Sequence, residues 1–487
     1  MAKRTQPVIV WFRRDLRIAD HAALLEAAQG GKPVIPLYIW NKPDEARWSH
    51  RGVAKAWQAC NIIALDQALQ AQYGSRLIVR KGDAAAELMM VAAQTKASAI
   101  YFNMVYEPQE LAQEERVSRA ASKQGIELKQ YPGNLLTAPG TILTRNSQPY
   151  KVFTPFYRQV LRTYRHAPPQ PAPEKLPTPT TSPTSIDVAI LLKELPAEHQ
   201  AIAQRWPAGE AAAAKTLRTF VTSKLARYGA DHDYVAMAST SVLSPYLECG
   251  AISARQIWDA VERHLSSYPP GREESAAQFE RQLIWREFSY HTLLARPELP
   301  DQPYHERFAA FPWVRDDDLL ECWQAGLTGY PLVDAAMRQL SAEGWMPGRA
   351  RMVAASFFVK HLMQSWVDGE QWFWERLIDA DLACNAFNWQ WVAGSGADAA
   401  PYFRVFNPVL QGRKFDPTGE YVRRHVPELT DVPNRYLHNP WEAPESVLTA
   451  CGVTLGKHYP LPIVEHQAAR ERALSAYRNL DKSPSDM

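Results

Sequence analysis

Four segments in the first 103 residues are apolar along almost their whole length: VIVWF (8–12), VIPLYIW (34–40), RLIVR (76–80) and AIYFN (99–103). A strand with one wet face alternates apolar and polar residues, whereas one that is apolar throughout is buried on both faces. Between these segments lie stretches of helical character, HAALLEAAQ (21–29) and the longer 52–72. Strands of this kind alternating with helices specify a parallel, doubly wound sheet, whose ligands sit at the carboxyl ends of its strands. No G-x-G-x-x-G and no phosphate loop follows the first strand, so a standard dinucleotide site is not expected there. WFRRDLR stands in its place. Arg13, Arg14 and Arg17 are expected either to pair with Asp15 and Asp20 or to hold an acidic group.

A different composition begins at His166. HAPPQPAPEKLPTPTTSPTS (166–185) has seven prolines between Pro168 and Pro183 and reads as an extended linker over the surface. Beyond Trp206 the apolar period is helical in 211–228, 276–294, 330–344 and 351–366, and 12 of the 16 tryptophans fall from Trp206 onward. The expected organisation is therefore an α/β domain over 1–135, a connecting segment over 136–205, an all-α domain with an aromatic interior over 206–480, and a tail over 481–487.

With a net charge of +2, any binding of nucleic acid has to come from a local basic patch. Five scattered cysteines without a C-x-x-C exclude a disulfide framework and a thiolate zinc site, and indicate a reducing cytoplasm. There is no apolar leader and no run long enough to span a membrane, so a soluble protein is expected.

The stretch DADLACNAFNWQWVAGSGADAAPYFR (379–404) concentrates chemistry-bearing residues: Asp379, Asp381, Asn385, Trp389 and Trp391 within thirteen positions. On a helix the two tryptophans would diverge by about 200° and could not share a face. TSVLS (240–244) places three hydroxyls before a helix-like segment, as N-caps or as an anion site. Glu280, Arg281, Arg286 and Glu287 flank Trp285, while Arg349 and Arg351 open another aromatic helix and Arg404 ends the 379–404 stretch. Each is by itself an ordinary surface charge. Together with Trp285 and Trp391 they supply what an extruded nucleobase needs, stacking planes and phosphate-binding cations. No G-x-S-x-G or H-E-x-x-H points to nucleophilic or metal hydrolysis.

WFRRDLRIADHAAL, TSVLSPYLECGAIS, WREF, TGYPLVDAAMRQL, GWMPGRARM, DADLACNAFNWQW with PYFRVFNP, FDPTGEYVRR and PIVEH occur in order over about residues 7–480. In this the chain resembles the photolyase/cryptochrome family. The resemblance implies one FAD in the helical domain, with Tyr228 and the loop Thr240, Ser241, Val242, Leu243 and Ser244 at its phosphates and ribose. It places Arg286 and Arg351 in polar contact with the flavin. Asp379, Ala380 and Asp381 fall near the ribityl and isoalloxazine parts, and Asn385 faces N5. An amide there accepts a hydrogen bond from N5–H and favours the fully reduced flavin. Trp389, Trp366 and Trp313 match the electron-transfer chain. Trp285 and Trp391 match the pair that sandwiches a flipped pyrimidine dimer, Met352 borders it, and Arg349, Arg404 and Gln411 match contacts to the damaged strand.

Three positions depart from the pattern: Gln282 where dimer photolyases carry a glutamate, Gly348 in place of an asparagine, and His232 in place of a DNA-contacting arginine. The N-terminal sheet matches the antenna domain, with methenyltetrahydrofolate or a deazaflavin left open as its chromophore and Gln109 and Glu110 at a folate position. The implied activity is light-driven repair of cyclobutane pyrimidine dimers in UV-damaged DNA by photoexcited reduced FAD, carried out by a monomer. A blue-light receptor without turnover and a (6-4) photolyase are the alternatives.

Overall fold

The computed structural model describes residues 6–41, 46–179, 183–266, 273–398 and 403–480. Five parallel strands, β1 (Val8–Phe12), β2 (Val34–Trp40), β3 (Ile78–Lys81), β4 (Ala99–Asn103) and β5 (Glu127–Tyr131), form a sheet in the order β3-β2-β1-β4-β5. Helices α1 (Ala22–Gln29), α2 (Gly52–Tyr73), α3 (Ala84–Thr95) and α4 (Pro108–Lys123) make the crossovers. β1, β2 and β4 are buried at every position, as their unbroken apolar sequences require. The fifth strand, ELKQY, escaped the sequence pattern because it is an edge strand with a half-wet, polar surface. The third starts two residues later than RLIVR suggests.

After the sheet come α5 (Phe153–Thr163), α6 (Val188–Lys193), α7 (Ala197–Ala203), α8 (Glu210–Ser223), α9 (Leu225–Asp231), α10 (Ser244–Cys249), α11 (Ala254–Ser266) and α12 (Glu273–Ala295). Next are α13 (Asp317–Ala325), α14 (Pro331–Glu343), α15 (Gly348–Ser356), α16 (Trp366–Arg376), α17 (Leu382–Ala393) and α18 (Pro408–Phe415), followed by short helices and His466–Asn479. The chain gathers into two compact units. One comprises residues 1–226, 241–297 and 378–381, the other 227–240, 298–377 and 382–487. Among the described residues, no helix is long and apolar enough to cross a membrane.

Two expected helices are broken. The 211–228 segment divides at Lys224 into α8 and α9, and 351–366 passes from α15 into a π-turn over Phe357–His361 before α16 starts afresh at Trp366. The segment 167–179 has neither helix nor strand. It lies along the first unit, where Pro177 O accepts from Val34 N (2.7 Å) and Pro173 O from the Tyr73 hydroxyl (2.6 Å).

The switch point of the sheet lies between β1 and β4, where a doubly wound fold opens a crevice. Here the chain fills that crevice itself. Arg13 pairs with Glu114 (2.7 Å) and donates to Asn103 O (2.6 Å), while Arg14 bridges Glu107 and Glu248, the latter at 2.9 Å. Arg13 and Arg14 are thus paired internally, but with glutamates from α4, from its N-cap and from α10. Asp15 instead faces His21 (3.0 Å), and Asp20 takes Ser253 and Arg255. Beside Arg14, Glu107 and Glu248 a space of about 20 Å³ remains, room for one water.

Glu287, from the WREF motif on α12, is fully buried and accepts from Leu136 N (3.0 Å), Thr137 N (2.9 Å) and the Thr137 hydroxyl (3.0 Å). It clasps the chain leaving the sheet onto α12. Glu287→Ala would strand two buried N–H groups and is expected to cost about 3 kcal/mol, read as a lower urea midpoint; Glu287→Gln, which keeps one acceptor oxygen, should cost less.

Candidate functional site: a stacked tryptophan and an oriented amide

In the first unit, α12 presents Gln282, Trp285, Arg286 and Tyr290. Trp285 is half-buried, with one ring face covered by Phe153 of α5 at 3.5 Å between centroids and 6° between planes. Sequence reasoning passed over Phe153, because nothing local marks a phenylalanine as the backing of a ring 132 positions later. Gln282 is exposed one turn before Trp285, on the same face. Asp379 and Asp381 are each 7 % exposed. Asp381 accepts from the Tyr290 hydroxyl at 2.7 Å, with Arg286 Nε at 3.8 Å, and Arg286 also donates to Asn134 O at 3.3 Å. Ala380 between the two aspartates is buried.

The 241–244 loop leads directly into α10. α10 starts at Ser244 with Leu243 in the capping position, and no side chain caps it. Ser241 Oγ accepts from the N–H of that capping residue, Leu243, at 3.4 Å. Val242 has φ +55°, a conformation costly for a β-branched residue and held only where the surroundings require it.

In the second unit, Asn385 sits on α17, 8 % exposed, with Nδ2 donating to Glu370 O at 2.9 Å. That bond fixes which way the amide points. Its oxygen has no partner among the described residues and is left to accept from a ligand. An acceptor so placed fits the N–H of a reduced flavin.

Trp389 and Trp391 part company on α17 as the helical geometry demands. Trp389 is 2 % exposed among Phe373 (4.9 Å), Phe358 (6.1 Å) and Trp323 (6.2 Å), while Trp391 is half-buried and donates to Asp398 O at 3.1 Å. The indole of Trp389 lies against α16 at Gly369, one turn after the buried Trp366. Trp313 precedes Val314, whose N–H bonds Met363 O at 2.8 Å, so the backbone returns next to the start of α16.

Around α15, Arg349 makes two hydrogen bonds to Asp233 (2.7 and 3.3 Å) and lies over Phe415, and Arg351 donates to Met346 O at 3.0 Å. Met352 is half-buried, and Gly348 opens the helix beside empty space. His232 stacks on Tyr228 at 4.8 Å and bonds its carbonyl, and Thr240 is half-buried nearby in sequence. Arg404 is exposed, and the Gln411 side-chain oxygen is buried without a partner among the described residues. Beneath Arg404, Lys360 of the π-turn donates to its carbonyl and lies 4.4 Å over Phe403; burial pushes the Lys360 amine down to about 7. Pro401 and Tyr402 of PYFRVFNP lie outside the described residues.

Residues 8–174 match the family model for DNA photolyase, and 279–479 the one for the FAD binding domain of DNA photolyase. A deoxyribodipyrimidine photo-lyase of Agrobacterium fabrum is 42% identical over 489 residues, covering 99% of this chain and 100% of its own. Cryptochrome-1 of Arabidopsis thaliana is 36% identical over 470 residues, or 95% and 69% of the two chains. Among solved structures, a bacterial class III photolyase from Agrobacterium tumefaciens superposes with a TM-score of 0.93 at 41% identity over 99% of both chains. The chain belongs to the photolyase/cryptochrome family. Its helical part is an FAD-binding domain of the photolyase type.

The packing of Trp389 on α16 gives a direct test. A β-carbon on Gly369 would lie 2.6 Å from Cζ3 of Trp389 and 2.9 Å from Cδ1 of Phe358. Gly369→Ala is expected to cost about 1–3 kcal/mol through overpacking. Much of that should be recovered when Trp389→Phe removes the opposing ring, a coupling that denaturation of the single and double variants measures.

Proposed function

We propose that the protein repairs cyclobutane pyrimidine dimers in UV-damaged DNA with light, as a deoxyribodipyrimidine photo-lyase. The observation that carries the reading is Asn385, a buried amide turned by its bond to Glu370 O so that the oxygen is free to accept. When bound, FAD supplies light-driven one-electron donation to the dimer, with return of the electron once the ring has opened. The chain's residues hold and select. Asn385 favours the fully reduced, donating form of the cofactor, Asp379 and Asp381 contact its polar parts together with Arg286 and Arg351, and the loop 240–244 with Tyr228 takes its phosphates. Trp366, Trp389 and Trp313 form the route that resets an oxidised cofactor.

Trp285 and Trp391 provide stacking planes for the flipped dimer, each base gaining about 1–3 kcal/mol against the few kcal/mol that unstacking costs. Met352 borders the dimer, Arg349, Arg404 and Gln411 contact the damaged strand, and His232 and Gly348 line the same approach. Gln282 faces the lesion as an amide, able to donate and accept but not to deliver a proton. The working unit is a monomer in the cytoplasm. The likeness to a plant cryptochrome, with Gln282 in place of a carboxylate, supports a receptor without turnover as the second reading.

Illuminating reduced protein with dimer-containing oligothymidine separates these readings. Recovery of the thymine absorbance band is expected for the dimer and not for a (6-4) lesion; no recovery with either would favour the receptor. Trp366→Phe should leave repair by pre-reduced protein intact while slowing photoreduction of the oxidised form by at least about tenfold, since it removes a relay and not a donor. Unchanged photoreduction would assign that tryptophan to packing alone.

A further inference from the structure

From Leu128 to Pro173 the chain has six Lys and Arg residues and no Asp or Glu, although over its full length 54 basic residues face 52 acidic ones. Four of the six, Lys151, Arg158, Arg162 and Arg165, lie on or beside α5, and all four are exposed. α5 turns Phe153, Phe156 and Val160 inward, with Phe153 against Trp285 and Phe156 against Phe288 (5.0 Å). At about 100° per residue, Arg158 and Arg162 stand on the opposite, outward face. Lys151 precedes the first turn and Arg165 follows the last.

None of the four pairs with a carboxylate among the described residues. Arg162 reaches only the Gln159 amide oxygen, and Arg165 the carbonyls of Arg162 and Tyr164. Arg281 of α12 extends the row. It is exposed, and its guanidinium lies over Phe153 (5.2 Å) and Tyr157 (5.6 Å), again without an acidic partner. Other arginines are neutralised, as Arg349 is by Asp233 and Arg14 by two glutamates. Like charges one turn apart repel, so an uncompensated row weakens its own helix and gains only when an anion covers it.

We propose that the outward face of α5, with Arg281, is a surface for the sugar–phosphate backbone of duplex DNA flanking a lesion held at Trp285. The eleven residues of α5 span about 16 Å, close to five base-pair steps at 3.4 Å each. The placement of the lesion rests on the function proposed above; the charge row does not.

The test is the salt dependence of duplex binding by Arg158→Ala/Arg162→Ala, followed by fluorescence anisotropy. The slope of log affinity against log salt should flatten by about 1.8, that is 0.9 for each of two lost phosphate contacts. Affinity at low salt should fall about tenfold on damaged and undamaged duplexes alike, and Arg158→Lys/Arg162→Lys should restore both. A dimer-containing trinucleotide, too short to run along the outward face of α5, should bind the alanine variant as it binds the wild type. An unchanged slope, a loss confined to damaged DNA, an equal loss on the trinucleotide, or a loss seen only on phosphatidylserine vesicles would each overturn the proposal. If the wild type shows no preference for dimer DNA, the repair reading fails, while the undamaged-duplex arm still decides the role of α5.

Discussion

The hydroxyl of Tyr290 has one proton and two buried acceptors, Asp381 at 2.7 Å and Glu107 at 3.2 Å. Burial and the two neighbouring carboxylates push the phenol well above its ordinary range, so it stays protonated and can always donate. Glu107 in turn is held by Arg14, and Arg14 by Glu248, whose carboxyl burial pushes up to about 8. A single connected network thus runs from the carboxyl ends of the sheet to the aspartate that precedes α17. Such a network is favourable only when each member is satisfied, and removing one partner would leave the others buried and uncompensated.

α12 is the element on which this network and the first unit's candidate site residues are both built. Along it, Trp285 faces Phe153, Arg286 and Tyr290 face Asp381, and Glu287 grips the backbone at 136–137. The Trp285 ring is fixed by that stack between two helices, and side chains locked by packing on rigid elements make a site precise. On α17 and α16 the same logic takes another form. Gly369 lets an indole press against a helix backbone, and the amide of Asn385 is locked by a carbonyl from α16.

The inner strands could be read directly from the sequence, because double burial writes itself as unbroken apolar residues. The edge strand ELKQY could not, since its pairing is set by the neighbouring β4 and not by its own composition. The divergence of Trp389 and Trp391 followed from their spacing alone. By contrast, the partners of Arg13 and Arg14 come from Glu107, Glu114 and Glu248, which no local pattern assigns to them. The π-turn at Phe357–His361 was equally silent, because one extra residue in a helical turn leaves the apolar pattern intact while redirecting Lys360 toward Phe403. Local periodicity reports which residues are buried; long-range ion pairing and ring stacking decide which of them meet.

The central claim is that repair borrows an electron and returns it, so that turnover consumes light but no reductant. Counting dimers split per protein under anaerobic illumination, after excess reductant has been removed, tests this most directly. The account predicts many dimers repaired per chain, with the absorption spectrum of the reduced cofactor unchanged at the end. Repair that stops at one dimer per chain, with the cofactor left oxidised, would contradict it.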